Sequence, residues 1–308
     1  MELFAPGCLG TCWYGKYHYM EPYIGCGFSC LYCYARFREQ VSAEMQSRAS
    51  RFDRPVTVLP LPELLAAIKK TANSGEVEIV KLSRFTDIFS PPFDADGTAV
   101  EILRALAESK VKRIIITTKG LPSKEAIKLM AQYPAKFSYN AAAKPRGEYR
   151  LEQCPENVAQ RLEAAAEIQK SGVLTTVHMD PLLVGVEDSE ALLAPFFDGL
   201  AKLGLKRVMF SYLLVNSQIA ALIKEKLTPE QAKALLARYD GELAQVLPRQ
   251  EDTAYLNLKP ELKAESVKRV ARLLKERGFD FVLCSLKSGR ESDASHAGCP
   301  LCDGKFYA

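Results

Sequence analysis

Three closely spaced cysteines are the residues of this chain best suited to chemistry. Cys26, Cys30 and Cys33 form a C-x3-C-x2-C run, and Tyr32 directly precedes the last of them. Cysteine thiolates are the usual ligands of [4Fe–4S] clusters, so these three can hold three corners of one. The fourth iron would lack a protein ligand and could bind a small molecule. The alternatives are a zinc site, which usually takes four protein ligands, and a chance grouping.

This run resembles the signature of the radical S-adenosylmethionine (SAM) superfamily, in which an aromatic residue stands where Tyr32 stands. The resemblance implies a [4Fe–4S] cluster on the three cysteines, with SAM bound to the open iron. It also implies a reducing donor such as ferredoxin or flavodoxin, whose electron cleaves SAM to methionine and a 5′-deoxyadenosyl radical. That radical would abstract a hydrogen atom from a substrate that the protein positions.

Four more cysteines stand in pairs near the ends of the chain. Cys8 and Cys12 are spaced C-x3-C, and Cys299 and Cys302 are spaced C-x2-C. Because the termini of a domain often lie close together, these thiols could hold a second [4Fe–4S] cluster or a zinc ion. Cys284, at the end of the last predicted strand, could replace one of them or donate a hydrogen atom. It could equally be a buried apolar thiol.

Predicted strands and helices alternate along the chain. Helical patterns cover 156–170 and 262–277, and Thr228 to Gln231 form a capping box. Repeated βα units with right-handed crossovers predict an α/β fold that closes into a parallel barrel or partial barrel. Short β-branched or aromatic runs predict buried strands at Tyr19–Gly25, Val77–Leu82, Ile114–Thr118, Lys136–Asn140, Val173–His178, Arg207–Tyr212 and Phe279–Leu283.

We expect three parts in this chain. Residues 1–18 would form an N-terminal extension with one cysteine pair, and residues 285–308 a C-terminal extension with the other. Residues 19–284 would form a partial (β/α)6 TIM-like radical SAM barrel, with a helical insertion at 214–258. In such barrels the chemistry lies at the C-terminal ends of the strands, which is where the three-cysteine run falls.

Four short motifs occur in an order that resembles the spore photoproduct lyase-like branch of the superfamily. They are Lys81–Pro92, Ile114–Gly120, His178–Leu183 and Met209–Tyr212. The lyase itself repairs a DNA thymine dimer and uses a cysteine near the first of these motifs as hydrogen donor. Residues 80–90 contain no cysteine here, and Phe85 stands near that place. DNA-dimer repair is therefore disfavoured.

The resemblance also implies contacts with SAM. Ser83 and Arg84 follow the second strand, where the superfamily often recognises the methionine amino group. Tyr32 could pack near the adenine, and Ser138 and Asn140 could contact the ribose or the carboxylate. Each has an ordinary alternative: Ser83 could cap a turn, Arg84 could be a surface charge, and Asn140 could bond to backbone.

His178 and Asp180 form a polar pair at an otherwise apolar strand end. This position suits a contact with SAM or with a substrate. The alternatives are that Asp180 caps the following turn and that His178 is a hydrogen-bonded core residue.

The substrate class stays open between nucleic acid, peptide or protein, and small molecule. Five arginines between Arg36 and Arg54, and the basic loop Lys144–Arg150, could bind phosphates, although acidic residues lie among the arginines. A non-catalytic iron–sulfur or zinc scaffold is a further class. It predicts no SAM cleavage by the reduced protein.

Bulk composition limits these possibilities only mildly. The 308 residues, 48% of them hydrophobic, suffice for one barrel-sized domain. The net charge of +4 permits a nucleic-acid substrate without favouring one. The spacing of the nine cysteines is unlike that of a disulfide scaffold, and we find no signal peptide or apolar membrane span. We therefore expect a cytoplasmic protein.

Overall fold

A sheet of mostly parallel strands flanked by helices forms the centre of the molecule. The computed structural model describes residues 2–7, 17–48, 50–149, 151–152, 158–246, 254–287, 298–302 and 306. The strands are β1 Phe4–Pro6, β2 Tyr17–Met20, β3 Tyr23–Ile24, β4 Val56–Thr57, β5 Ile79–Leu82, β6 Arg113–Thr118, β7 Phe137–Ala142, β8 Leu174–Leu182, β9 Arg207–Tyr212, β10 Tyr239–Val246, β11 Ala254–Leu258 and β12 Asp280–Leu283. The helices are α1 Glu39–Ser47, α2 Leu61–Ala72, α3 Thr98–Ala107, α4 Lys124–Gln132, α5 Val158–Lys170, α6 Glu190–Lys202, α7 Ser217–Lys226, α8 Pro229–Leu236 and α9 Pro260–Glu276, with one 3-10 helix at Tyr34–Phe37.

The main sheet has the strand order β1-β2-β5-β6-β7-β8-β9-β12. From β2 to β12 every neighbouring pair is parallel, while β1 runs antiparallel to β2. Helices connect successive parallel strands, as right-handed βα crossovers require. The prediction of an α/β partial barrel is confirmed.

Apolar residues on alternate faces of the strands explain why the sheet is buried on both sides. In β6, Ile114 and Ile116 join the main core beneath the helices, and Ile115 joins a second cluster on the opposite face. All three are fully buried. Side chains alternate between the two faces of a strand, so a continuous apolar run can fill both layers.

The helices cover the sheet with one apolar face each. In α2 the buried positions are Leu64, Ile68 and Ala72, spaced by one helical turn. The predicted helix at 262–277 is α9, which buries Val267, Val270 and Leu274 among others. None of the helices in the described part of the chain is both long and apolar enough to cross a bilayer.

The predicted first strand, Tyr19–Gly25, is wrong in its bounds. The structure has two short strands there, β2 in the main sheet and β3 paired antiparallel with β4. Pro22 lies between them and lacks the backbone N–H that a continuous ladder would need. The break leaves Glu21 directly after β2, where its backbone N–H donates to the Leu3 carbonyl (2.9 Å).

The insertion at 214–258 is only partly helical. It contains α7 and α8, and the capping box of Thr228 and Gln231 at the start of α8 is confirmed. Strands β10 and β11 then pair antiparallel, and Val215 bridges to Leu256. These pairings join residues far apart in sequence, so local helical periodicity cannot reveal them.

Candidate active site

A cavity of about 340 Å³ opens at the C-terminal ends of the parallel strands. Successive strands contribute residues to its wall, including Ser83 after β5, Thr118 of β6, His178 of β8 and Cys284 after β12. Leu213 after β9 and Tyr255 of β11 add apolar surface, so the insertion completes the wall. This is the face of an α/β barrel on which active sites are built.

Cys26, Cys30 and Cys33 line this cavity together. The loop that carries them is held by backbone hydrogen bonds, from the Cys26 N–H to the Phe52 carbonyl (2.7 Å) and from the Cys33 N–H to the Cys30 carbonyl (3.0 Å). Gly25 precedes the loop at φ +85°, and a Cβ there would lie 2.6 Å from the Phe52 oxygen. Glycine is therefore required where the chain enters the run.

The thiols of this run need a positive partner to ionise. Burial, together with the neighbouring Cys30 thiol, raises the pKa of Cys33 to about 11, and burial also raises the pKa of Cys26. Iron would supply the charge that stabilises the thiolates. Three thiols in one loop are the donor set that iron–sulfur clusters take, so these residues fit such a cluster.

Tyr32 is fixed between two cations at the edge of the cavity. The Lys119 and Lys144 ammonium groups lie 5.4 and 5.5 Å from its ring centroid, within cation–π range. The Tyr32 hydroxyl donates a hydrogen bond to Glu152. These contacts orient the aromatic side chain beside Cys33.

The turn after β5 presents hydroxyls to the cavity. Ser83 and Thr86 both line it, and their buried hydroxyl oxygens have no hydrogen-bond partner among the residues that the structure describes. Buried polar atoms are normally paired, so these hydroxyls are suited to a polar ligand such as SAM. Arg84 also lines the cavity, with its guanidinium 4.7 Å from the Phe85 ring centroid and 5.7 Å from that of Tyr19.

The side chain that holds this turn is Glu21, which the sequence analysis did not single out. Its carboxylate is 2% exposed and accepts backbone N–H groups from Arg84 and Phe85. Burial raises the pKa of Glu21 to about 8, although these hydrogen bonds and the charges of Arg84 and Lys81 act in the opposite direction. An acidic residue next to Pro22 at a strand end was the only sequence signal for it.

His178 and Asp180 lie together on the opposite wall of the cavity, beside Lys287. Burial would raise the pKa of Asp180, but the charge of Lys287, the nearby His178 and hydrogen bonds from Lys287 and Ser211 hold it below its usual range. Burial lowers the pKa of His178 to about 3, so this imidazole is neutral at neutral pH. The wall therefore carries a fixed carboxylate–ammonium pair next to a neutral histidine.

Ser138 and Asn140 do not line the cavity. Both are fully buried in β7, where the Asn140 amide donates to the Ile116 carbonyl at 2.9 Å. On that strand, Ala142 is the residue that reaches the cavity. Seven residues were expected from the sequence to contact SAM. The cavity is lined by five of them: Tyr32, Ser83, Arg84, His178 and Asp180. Ser138 and Asn140 lie deeper in the sheet.

Lys144 connects the two walls of the site. Its buried ammonium lies 2.8 Å from the Pro181 carbonyl, 2.9 Å from Glu187 and 3.7 Å from Glu152. Glu152 in turn accepts the Tyr32 hydroxyl. These buried partners occupy the Lys144 ammonium, so Lys144 is poorly placed to bind a phosphate; the basic loop at Lys144–Arg150 stays a prediction. Arg150 lies outside the described residues.

Comparison with known proteins agrees with this geometry. The family model of the radical SAM superfamily matches residues 20–194, more than half of the chain. The chain belongs to the radical SAM superfamily. Proteins of this family use a [4Fe–4S] cluster and SAM. No protein of curated function matches the chain in sequence.

Solved radical SAM structures share the fold. A cysteine-to-serine mutant of spore photoproduct lyase has a TM-score of 0.66 at 13% identity, covering 92% of this chain and 79% of that one. A double mutant of the lyase with bound AdoMet and dinucleoside spore photoproduct has a TM-score of 0.61 at 12% identity, covering 89% and 77%. Streptococcus suis SuiB bound to precursor peptide SuiA has a TM-score of 0.51 at 13% identity, covering 86% and 48%.

The described cysteines outside the radical SAM motif do not form one group. Cys299 packs in the main core, near Tyr212, whereas Cys302 belongs to the second cluster of buried residues, with Cys284 against it. Cys284 and Cys302 line the cavity. Cys8 and Cys12 lie outside the described residues, so the second metal site stays a prediction.

Proposed function

We propose that this radical SAM protein is an enzyme that binds SAM in the cavity and generates a substrate radical there. The observation that carries the proposal is that one cavity joins Cys26, Cys30 and Cys33 with the buried hydroxyls of Ser83 and Thr86, for which the described part of the chain offers no hydrogen-bond partner. When bound, the cluster supplies the electron that cleaves SAM and releases the radical that abstracts hydrogen. The substrate is held against the same wall.

The residues of the chain divide this work between them. The three cysteines would hold the cluster, and Ser83 and Thr86 would donate to or accept from the polar groups of SAM. Tyr32 would offer its ring to the adenine. His178 and Asp180 face the cavity from the other side and would contact SAM or the substrate. The apolar surface around them excludes water, which protects a radical from side reactions.

The test is formation of 5′-deoxyadenosine by protein that is purified and loaded with iron and sulfide without oxygen, then reduced. We expect cleavage of SAM by the native protein and none by Cys26→Ala, Cys30→Ala or Cys33→Ala. Gln46→Ala, on the exposed side of α1, is the matched control and should behave as native. Cleavage that survives the cysteine substitutions would overturn the assignment of the cluster. No cleavage by the native, iron-loaded protein would support a non-catalytic scaffold.

A lyase acting on nucleic acid, of the spore photoproduct lyase type, is the second candidate. It is favoured by the fold shared with a lyase structure that contains a dinucleoside spore photoproduct. Two residues weigh against it. Phe85 stands where a hydrogen-donating cysteine would be needed, and Lys144 is buried and does not supply a phosphate contact. A salt-sensitive shift on mixing the protein with DNA or RNA would support this candidate. A peptide or small-molecule substrate predicts no such shift.

The proposal includes a reductant and a cellular setting. We infer that a ferredoxin or flavodoxin supplies the electron and that the enzyme acts in the cytoplasm, where thiols stay reduced. The second metal site, a [4Fe–4S] cluster or zinc at the terminal cysteines, stays a proposal, and a metal bound there would exclude disulfide chemistry at Cys302. About eight irons per chain would support a second cluster, and about four irons with one zinc would support a zinc site.

A further inference from the structure

Two cysteines that the radical SAM chemistry does not use lie side by side in the wall of the cavity. The Leu283 N–H donates to the Pro300 carbonyl (2.8 Å), and the Cys302 N–H donates to the Leu283 carbonyl (2.9 Å). Leu283 and Leu301 form the corresponding parallel bridge. One residue further along each segment, this register places Cys284 opposite Cys302.

The register puts the two thiols within reach of each other. Neighbouring strands lie about 4.8 Å apart, and residues opposite each other point to the same face. Cysteines can be bridged when their Cα atoms are roughly 4.4–6.8 Å apart, and the spacing expected from this register falls within that range. The Ser285 hydroxyl donates to the Cys302 carbonyl (2.9 Å) and ties the two segments together. Both cysteines line the cavity, and both pack in the second cluster of buried residues.

The sequence spacing points to a different pair. Cys299 and Cys302 form a C-x2-C unit, but Cys299 lies in the main core and does not line the cavity. Strand pairing, not sequence proximity, therefore decides which thiol can react with Cys302.

We propose that Cys284 and Cys302 are a site of reversible modification, a dithiol that closes to a disulfide by exchange with a small disulfide such as oxidised glutathione. The half-buried Cys284 reacts first: its thiolate forms a mixed disulfide and releases one small thiol. Cys302 then displaces the second small thiol and closes the bridge. The two protons lost by the protein thiols are gained by the two released thiols, and two electrons pass to the small disulfide. In reverse, two small thiols reduce the protein disulfide to the dithiol and leave as a small disulfide.

The experiment exposes the anaerobically prepared, iron-loaded protein to glutathione buffers of increasing oxidised fraction, followed by alkylation and peptide mass analysis. We expect a cross-link between the peptides of Cys284 and Cys302, reversed by a reducing dithiol, with loss of two alkylatable thiols per chain. Cys299→Ala should keep this cross-link, and Cys284→Ser should abolish it.

Three results would overturn the proposal. One is full alkylation of Cys284 and Cys302 in the most oxidising buffer. Another is a cross-link from Cys302 to Cys299. The third is protection of both thiols until iron is removed by a chelator, which would make them metal ligands instead. The measurement does not use SAM cleavage, so its failure is distinguishable from failure of the proposed function.

Discussion

Replacement of Lys144 by methionine tests the buried charges that join the two walls of the site. Lys144 and Glu187 form an ion pair at 2.9 Å, with side chains 9% and 4% exposed. Removal of one partner of a buried pair costs about 3–5 kcal/mol, because the other charge remains without a partner in a low dielectric. Methionine keeps most of the volume of the lysine stem, so the cost arises from charge and not from a cavity.

The cost of Lys144→Met should depend on pH in a defined direction. Burial raises the pKa of Glu187 to about 7 from 4.5, even with Lys144 beside it. The folded protein therefore binds the Glu187 proton more tightly than the unfolded chain does. This difference stabilises the folded state by roughly 3 kcal/mol below about pH 4.5, and the stabilisation is lost as the pH rises through about 7. Near pH 5.5 Glu187 is mostly protonated, whereas Lys119 and Lys144 hold the pKa of Glu152 below its usual value against the effect of burial, so Glu152 still loses a partner there. We therefore expect a smaller cost near pH 5.5 than the cost of about 3–5 kcal/mol near pH 8.

Urea unfolding of native and variant protein at both pH values measures this cost. Lys144→Met/Glu187→Leu should recover most of the loss near pH 8, because the unpaired carboxylate is gone. Lys112→Met is the control: its ion pair with Glu78 is at the surface, and its loss should cost at most about 1 kcal/mol at either pH. An equal cost of Lys144→Met at both pH values, or a double variant no more stable than the single one, would refute the reasoning.

Three other substitutions test the site and its frame. Burial raises the pKa of Glu21 to about 8, so its contribution to stability should fall between about pH 4.5 and 8, and Glu21→Gln should remove this part of the pH dependence. An unchanged pH series of unfolding would contradict this. Gly120→Ala would place a Cβ 2.6 Å from the Cβ of Phe89, and thermal unfolding should show a loss of about 1–3 kcal/mol. Asp180→Asn removes a charge-assisted hydrogen bond and should cost about 2 kcal/mol near pH 7. Because the pKa of Asp180 is held below its usual range, this cost should shrink as the pH falls below about 4, where the unfolded chain takes up the proton first.

The catalytic motif could be found in the sequence because its chemistry is local. Cys26, Cys30 and Cys33 lie within one loop, so their spacing alone shows that three thiols share a small volume. The helix boundaries were also close, since the capping box at Thr228 acts within one turn. The order of β and α segments predicted the parallel sheet for the same reason: each βα unit folds back on its neighbour.

Other parts of the site depend on contacts between residues far apart in the chain. The burial of Lys144 between Pro181 and Glu187 cannot be deduced from a basic loop, because burial depends on which strands become neighbours. Glu21 likewise has its role only because the turn after β5 places two N–H groups against it. Ser138 and Asn140 have suitable side chains but lie too deep in β7 to reach the cavity.

The sequence by itself determined the kind of chemistry, because the spacing of three thiols within one loop does not depend on how the rest of the chain folds. It also determined the α/β architecture, through apolar runs of strand length alternating with amphipathic helices. Only the tertiary structure decided which groups share the cavity with those thiols. The pairing of Cys284 with Cys302 in place of Cys299 follows from strand register, and register is set by packing across the whole sheet.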